Sequence, residues 1–286
     1  MLEIASLAQP VPGLGQVRVR VSAAAVNPVD LKTRSGFLAD IDLRFPAVLG
    51  WDVAGVIDEV GAAVDNWRPG DRVIAMLAQP VRGQGTYAEQ VVVPSELLAP
   101  APTTLPLHHA AAIPLAATTA WQALDALGIT SGTLLITGGV GAVGGFAIQL
   151  ARLRGLRVSA LVSEADHDAA LALGAAEILH RGESLPAGIV DAVLDTAGVA
   201  SAIGCVRDSG AYISIADTPQ PEPERAIIPR KSYVNENGTQ LAEISQLVNE
   251  NKLTIRIADE YHLDEAAAAH QRAQNHGTPG KVLLIP

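Results

Sequence analysis

The sequence is poor in cysteine, in basic residues and in long apolar runs, and each shortage excludes a class of protein. Its one cysteine, Cys205, can form neither an internal disulfide nor a cysteine-cluster zinc site, which fits a reducing compartment. The 20 basic residues are outnumbered by 30 acidic ones, and a net charge of −10 repels nucleic-acid phosphates and anionic membrane surfaces. We therefore expect neither a nucleic acid nor a membrane as a partner.

Long apolar segments are also missing. The longest apolar stretch, 110–124, is interrupted by Pro114 and by polar residues, and the first eight residues lack the basic flank and apolar core of a secretory signal. Almost half of the residues are nevertheless apolar, 17% are charged and the mean hydropathy is positive, as in a folded globule. A chain of 286 residues with this composition is expected to be cytoplasmic and to form about two domains.

Two patterns of apolar residues divide the chain. The first third is β-rich, with segments of β-branched residues bounded by turn signals at 16–26, 53–60, 72–76 and 87–93. After Pro94, a proline-rich connection leads into helical sequence at 108–127. From Thr133 onward, short apolar runs alternate with helix-like segments, which predicts parallel strands with helical crossovers.

A glycine-rich turn begins this second pattern. It follows the apolar run Leu134–Ile136 and precedes a helix with an apolar face. Its first glycine permits a tight turn, its second lets a pyrophosphate approach the backbone, and its third lets helix and strand pack closely. The free amides and the helix dipole attract phosphate. The sequence therefore predicts a dinucleotide-binding turn formed by Thr137, Gly139, Val140, Gly141, Val143 and Gly144.

Further cofactor contacts are expected where the later strands end, because Rossmann ligands bind outside the carboxyl ends of the strands. The residues at these ends are Ser163, Asp195, Thr196, Gly198 and Ile215. Each of them alone is more often a turn or core residue.

The choice between NAD and NADP stays open in the sequence. Glu164 lies 164 − 144 = 20 residues past the last glycine, where an acidic residue that binds the ribose 2′-hydroxyl favours NAD. The same carboxylate is equally typical of a solvated helix start. Ser163, His180 and Arg181 are the candidate partners for the 2′-phosphate of NADP.

Segments spread over nearly the whole chain match one known family. They are AAAVNPVDLKTRSG (23–36), FPAVLGWDVAGVIDEVG (45–61), PGDRV (69–73), GTYAEQVVVP (85–94), PLAATTAWQAL (114–124), the glycine turn and PGKVLLIP (279–286). On these segments the chain resembles the zinc-free quinone oxidoreductase branch of the medium-chain dehydrogenase/reductase superfamily. The resemblance implies an α/β fold, in which a Rossmann doubly wound parallel sheet (108–233) is joined to a GroES-like β-rich catalytic domain (1–107 and 234–286). It also implies an active site between the domains and a homodimer.

The resemblance also indicates which ligands are missing. Zinc alcohol dehydrogenases of this superfamily carry a metal-binding cysteine where this chain has Asn27, and a His-Glu pair where it has Trp51 and Asp52. The histidines show no HExxH spacing, and His108 and His109 are expected at a solvated helix start. The sequence therefore predicts no metal site.

Four residues are candidates for contact with the reacting groups. The resemblance implies that Asn27 and Thr119 lie near the nicotinamide, where an amide and a hydroxyl orient its carboxamide or the substrate carbonyl. Lys32 is a candidate cation for a developing oxyanion, although a surface lysine is usually only solvated. Trp51 is predicted either to stack on a flat substrate or to be a core aromatic beside the Gly50 turn.

Without a metal, the predicted chemistry is hydride transfer from NADPH, or from NADH as the alternative, to a quinone or an α,β-unsaturated carbonyl. Hydrolysis by a nucleophilic serine is excluded, since no G-x-S-x-G elbow is present. Two alternatives stay open. One is a biosynthetic enoyl reductase with a specific intermediate as substrate, because loops such as 36–44 carry no recognisable substrate code. The other is a non-catalytic NADPH-binding or redox-sensing protein, because no acid or base is compelled.

Overall fold

The computed structural model of the chain describes residues 2–36, 46–275 and 280–286, so most of the loop 36–44 lies outside the described residues. Internal contacts divide the chain into two compact units. The first unit contains Met1–Leu115 and Asn235–Pro286, and the second contains Ala116–Val234. Each unit has a sheet of its own.

The described residues contain thirteen strands and seven α-helices. The strands are β1 Gln16–Val26, β2 Asp52–Val60, β3 Arg72–Met76, β4 Gln90–Pro94, β5 Ala99–Pro100, β6 Thr133–Thr137, β7 Arg157–Val162, β8 Glu177–His180, β9 Val190–Asp195, β10 Val206–Ser214, β11 Arg230–Lys231, β12 Ile257–His262 and β13 Lys281–Ile285. The helices are α1 Pro28–Ser35, α2 Gln79–Arg82, α3 Pro114–Leu127, α4 Ala142–Leu153, α5 His167–Ala172, α6 Gly238–Asn249 and α7 Ala266–Gln274. A 3-10 helix, His108–Ala112, precedes α3.

The first unit is built on a seven-stranded sheet in the order β12-β13-β1-β2-β3-β5, with β4 also paired to β1. Strand β1 is its centre because it pairs with β13, β2 and β4. Valines 17, 19 and 21 of β1 are buried, whereas Arg18 and Arg20 between them are half-buried and exposed, which is the alternation expected for one buried face. The predicted β-rich first domain is confirmed.

The second unit is a doubly wound parallel sheet in the order β11-β10-β9-β6-β7-β8. The chain runs outward from β6 through β7 to β8, then returns to β9 and continues in the other direction. Strand β6 has the continuous buried run Leu134–Ile136, as expected for a parallel strand covered on both faces. The predicted Rossmann fold is confirmed, and its topological switch point lies between β6 and β9.

Residues 108–115 lie in the first unit, whereas the sequence analysis assigns them to the Rossmann domain. The 3-10 helix His108–Ala112 packs against β1, β2 and β13, and its alanines are buried there. Their small side chains let this segment pack closely on the sheet before α3 begins. At the other end, the second unit ends at Val234, one residue from the expected position.

None of the helices in the described ranges is long and apolar enough to span a membrane.

The core of the second unit provides a test of the fold. Leu135 is fully buried in the middle of the parallel sheet, whereas Leu153 at the end of α4 is 43% exposed. Leu135→Ala leaves a cavity and should lower the free energy of unfolding by about 2–5 kcal/mol. Leu153→Ala should change it by less than about 0.5 kcal/mol. Urea unfolding followed by circular dichroism measures both values, and equal effects of the two substitutions would contradict this core.

Candidate functional site

The glycine turn lies between β6 and α4 in the second unit. Gly138 adopts a left-handed conformation with φ of +62°, and Gly141 is the N-cap of α4 without a side-chain cap. Helix α4 is three turns long, so its dipole and the amides of its first turn favour an anion at this end. The local sequence therefore builds the kind of anion site that a dinucleotide pyrophosphate requires.

The three motif glycines have different surroundings. A Cβ atom on Gly144 would lie 2.2 Å from the carbonyl oxygen of Gly138, and one on Gly139 would lie 2.9 Å from Cβ of Ala160. These two glycines are thus required for packing of the turn. A Cβ atom on Gly141 would have a single neighbour, the carbonyl oxygen of Gly138 at 3.2 Å. The space at Gly141 fits a cradle that a ligand fills and a side chain would obstruct.

Thr137 and Asp195 connect the two strands at the switch point. Both side chains are buried, and the hydroxyl of Thr137 donates to Oδ1 of Asp195 at 2.5 Å. The same carboxylate oxygen accepts the amides of Gly198 at 2.9 Å and Val199 at 3.0 Å, and Oδ2 accepts the Tyr212 hydroxyl at 2.9 Å. Thr137 and Asp195 therefore shape the floor of the crevice, and a direct contact of Thr137 with the cofactor stays a prediction.

The other cofactor candidates in this unit lie near the carboxyl ends of the strands. The amide of Thr196 donates to the Thr137 hydroxyl at 3.0 Å, and that of Ile215 donates to the Asp195 carbonyl at 3.0 Å. Within the turn itself, Val140 is buried and Val143 is half-buried. The structure thus brings most of the predicted set to one edge of the sheet.

The candidate groups for the 2′ position lie together at the ends of β7 and β8. Val162 pairs with His180 in the sheet, so Ser163 and Arg181 are the next residues of neighbouring strands. The Ser163 hydroxyl donates to Asp166 at 2.6 Å, and the His180 ring stacks on His167. Glu164 is exposed directly after Ser163. An acidic group and basic groups therefore share this edge, and the geometry fits either cofactor.

In the first unit, a buried lysine lies at the end of the sheet where β1 ends and where β2 and β13 begin. Val26 pairs with Val282 and Ala25 with Asp52, which places Asn27, Asp52 and Lys281 at one end of the sheet. All three side chains are less than 5% exposed. The Lys281 ammonium donates to Oδ2 of Asp52 at 2.9 Å and to Oδ1 of Asn27. A positive charge is thus held at the positions that resemble the zinc ligands of related dehydrogenases.

This Asn27–Asp52–Lys281 network uses most of the polar atoms of its members. The Asn27 amide nitrogen donates to Asp52 at 2.9 Å and to the Ala25 carbonyl at 3.1 Å. The other Asp52 oxygen accepts the Leu115 amide at 2.6 Å. Both amide hydrogens of Asn27 are occupied and its oxygen already accepts the Lys281 ammonium, so a ligand can contact Asn27 only through the second lone pair of that oxygen. The role of Asn27 at the nicotinamide stays a prediction.

A second buried network supports the first. Asp30 accepts the amides of Asn27 at 2.8 Å and Gly50 at 3.1 Å and the Tyr87 hydroxyl at 3.2 Å. Burial raises the pKa of Asp30 to about 7. His270 lies 3.2 Å from the Tyr87 hydroxyl, and burial lowers the pKa of its imidazole to about 4. Asp30 thereby holds the backbone of Asn27 and that of Gly50, the residue before Trp51.

Three side chains near Gly50 have buried polar atoms without a hydrogen-bond partner in the described residues. They are the indole nitrogen of Trp51, both amide atoms of Gln79 and the hydroxyl of Thr86. The backbone brings them together, because the Leu77 amide donates to the Trp51 carbonyl and the Thr86 amide to the Gly50 carbonyl. Buried polar atoms of this kind require a ligand or a water molecule. This end of the sheet is therefore the candidate substrate site.

The remaining predicted residues have different environments. Lys32 is half-buried on α1 in the first unit, and Thr119 is buried on α3 in the second unit. Their roles at the nicotinamide or the substrate stay predictions. Lys281, Gln79 and Thr86 are not among the residues predicted from the sequence. A lysine at the start of the apolar strand VLLI was the available signal for Lys281, whereas Gln79 and Thr86 had none.

Two family models match the chain. Residues 13–103 match the alcohol dehydrogenase GroES-like domain, and residues 173–284 match a family described as zinc-binding dehydrogenase.

Similarities that span nearly all of this chain agree with these matches. The chain is 30% identical over 285 residues to 2-methylene-furan-3-one reductase of Solanum lycopersicum, which covers 95% of this chain and 72% of the relative. Identity and coverage are the same for NADPH-dependent alkenal/one oxidoreductase, chloroplastic, of Arabidopsis thaliana. A solved NAD-dependent alcohol dehydrogenase superimposes with a TM-score of 0.88 at 32% identity, covering 99% of this chain and 95% of the other. The quinone oxidoreductase of Coxiella burnetii superimposes with a TM-score of 0.86 at 29% identity, covering 97% of this chain and 93% of the other.

The buried lysine provides a test of this site. Lys281→Met removes the cation and leaves the buried Asp52 carboxylate unpaired, which should lower the free energy of unfolding by about 3–5 kcal/mol. Lys252 forms an exposed ion pair with Glu250, so Lys252→Met should cost less than about 1 kcal/mol. Denaturant unfolding measures both values. The double variant Lys281→Met/Asp52→Asn should recover part of the loss, and a small effect of Lys281→Met would contradict the network.

Proposed function

This chain belongs to the medium-chain dehydrogenase/reductase superfamily, and from that premise we propose that it is a zinc-independent, NADPH-dependent oxidoreductase. Its proposed substrates are quinones and α,β-unsaturated carbonyl compounds. The observation that carries the proposal is the Asn27–Asp52–Lys281 network, in which an ammonium and its hydrogen-bond partners fill the positions that resemble a zinc site. The names of similar proteins, an alkenal/one oxidoreductase and a quinone oxidoreductase, support the same reaction class.

The second unit provides the cofactor-binding part of the proposal. The bound cofactor supplies the hydride from its reduced nicotinamide ring. The amides at the start of α4 bind the pyrophosphate, and Gly141 lets it approach the backbone. Ser163, His180 and Arg181 bind the 2′-phosphate of NADPH, next to the exposed Glu164.

The first unit provides the substrate-binding part. Hydride transfer to an enone or a quinone places negative charge on the acceptor oxygen, and hydrogen-bond donors stabilise that charge. Trp51, Gln79 and Thr86 have buried donors that are not used within the described residues. Trp51 also offers an aromatic face to a flat acceptor, and Lys32 on α1 is a further candidate cation. Water then supplies the proton, so no dedicated acid is needed.

A homodimer is also part of the proposal, and light scattering tests it.

The activity is tested directly with purified protein, NADPH and a panel of quinones and enones. Oxidation of NADPH, followed by the absorbance of the reduced nicotinamide, should depend on the acceptor and should persist after dialysis against EDTA. If dialysis against EDTA abolished the oxidation of NADPH, the proposed zinc independence would be contradicted. NADPH binding without turnover of any acceptor would instead favour a non-catalytic role.

The cofactor cradle provides a second prediction. Gly141→Ala adds a methyl group where the nearest protein atom is the carbonyl oxygen of Gly138, 3.2 Å away, and where the pyrophosphate is expected. Its backbone conformation, φ −66° and ψ 170°, suits alanine, and the contact is relieved by a shift of a few tenths of an ångström, so the free energy of unfolding should change by less than about 1 kcal/mol. NADPH affinity, measured by fluorescence titration, should fall. Gly204→Ala, at an open position of the same unit, is the matched control and should change neither quantity. If the Gly141→Ala variant binds NADPH with unchanged affinity, the pyrophosphate does not lie at Gly141.

Glu164 provides a third prediction, on cofactor preference. Removing this carboxylate removes repulsion of the 2′-phosphate, and juxtaposed like charges cost several kcal/mol. Glu164→Ala should therefore improve the ratio of NADPH to NADH affinity by about tenfold or more. Glu222→Ala, another exposed carboxylate in the second unit, is the control. If both ratios equal that of the original protein, Glu164 lies outside the cofactor pocket.

A further inference from the structure

Two adjacent histidines and a distant glutamate converge on one point of the first unit. His108 and His109 begin the 3-10 helix that precedes α3, and Glu260 lies in the middle of β12. Nε2 of His109 is 2.8 Å from Oε1 of Glu260, and Nε2 of His108 is 3.7 Å from the same oxygen. One ligand atom from each residue lies within 4.8 Å of the other two.

These distances are close to those of a metal site. Zinc binds imidazole nitrogen at about 2.0–2.1 Å and carboxylate oxygen at about 2.0–2.2 Å, so tetrahedral ligands lie about 3.3 Å apart. The two nitrogen–oxygen distances, 2.8 and 3.7 Å, lie on either side of that value. Small rotations of three side chains are therefore enough to place all three around one ion.

A hydrogen bond between His109 and Glu260 does not account for the whole arrangement. It requires one imidazole, whereas the second ring is packed against the first with centroids 4.3 Å apart and has its Nε2 3.7 Å from the same oxygen. At 3.7 Å that second nitrogen is too far for a hydrogen bond. A divalent ion between the three groups satisfies both nitrogens and the carboxylate together.

The accessibility and ligand types of the cluster indicate which ion it fits. The three side chains are 36, 31 and 38% exposed, so an ion can enter and water can complete its shell. Two imidazoles and a carboxylate suit zinc and other late first-row divalent ions, whereas calcium and magnesium prefer oxygen ligands. The negative net charge of the chain attracts cations as well.

We propose that His108, His109 and Glu260 bind one late first-row divalent metal ion such as Zn²⁺, which connects the 3-10 helix to β12. This proposal changes the expectation from the sequence, in which His108 and His109 were only solvated. The ion has a structural role in the first unit and no part in hydride transfer, so the proposed zinc-independent reaction is unaffected.

The test uses the full chain without a histidine tag, stripped with EDTA and dialysed. Calorimetric titration with Zn²⁺ should give one saturable equivalent, and zinc should raise the melting temperature where magnesium does not. His109→Gln and Glu260→Gln each remove a ligand. Loss of a residue that only orients a ligand weakens metal affinity by about 10- to 100-fold, so loss of a ligand should weaken it at least as much.

Matched controls separate this site from non-specific binding. Glu243→Gln removes the same charge from an exposed position on α6 and should bind zinc like the original protein. His167→Gln disrupts the stacked pair with His180, the other place where two imidazoles meet in the described residues, and should also leave the single equivalent in place. A Co²⁺ complex should show visible absorption bands that Glu260→Gln loses. Unchanged zinc affinity of both ligand variants, or no saturable uptake by the original protein, would overturn the proposal.

Discussion

A buried ammonium determines the geometry of one end of the first unit. Lys281 donates to both Asp52 and Asn27, and these residues come from the starts or ends of three paired strands. An isolated charge at this depth is costly, so the strands must meet in the register that pairs it. That register in turn fixes the start of α1 at Asn27, and it places Trp51 immediately before β2. The polar atoms of the candidate substrate site depend on the same strand ends.

The second unit has a different physical requirement, because in the proposed function an anion approaches its backbone. There the requirement is the absence of side chains, since a Cβ atom on Gly144 or Gly139 would collide with its neighbours, whereas one on Gly141 would have a single neighbour, 3.2 Å away. The Thr137–Asp195 pair connects the strands on either side of that space. The proposed phosphate binding thus depends on backbone amides and on shape, whereas the geometry of the first unit depends on a paired charge.

Features built from one short segment of the chain were predictable from the sequence, whereas contacts between residues far apart in the sequence were not. The glycine turn and its flanking strand and helix occupy one short segment, so the local pattern was sufficient, and the alternation of apolar runs indicated both folds. The Lys281–Asn27 contact joins residues 254 positions apart, and the His109–Glu260 contact joins residues 151 apart. No local pattern predicts such pairs. The first domain boundary lies at Leu115, not at residue 107 as the sequence predicts, for the same reason. Residues 108–115 are placed by tertiary packing on β1, β2 and β13.

In the proposed function an ammonium lies at positions where the family resemblance implies zinc ligands, and this difference has a chemical consequence. A zinc ion with an open position binds the substrate oxygen directly and stabilises a localised alkoxide. The Lys281 ammonium has a single charge and directs hydrogen bonds to Asp52 and Asn27, so it is already engaged. In the proposed reaction the developing anion is stabilised by hydrogen-bond donors such as those of Trp51, Gln79 and Thr86, each of which contributes less than a metal. The proposed site therefore suits acceptors that delocalise the charge themselves, and quinones and enones have this property.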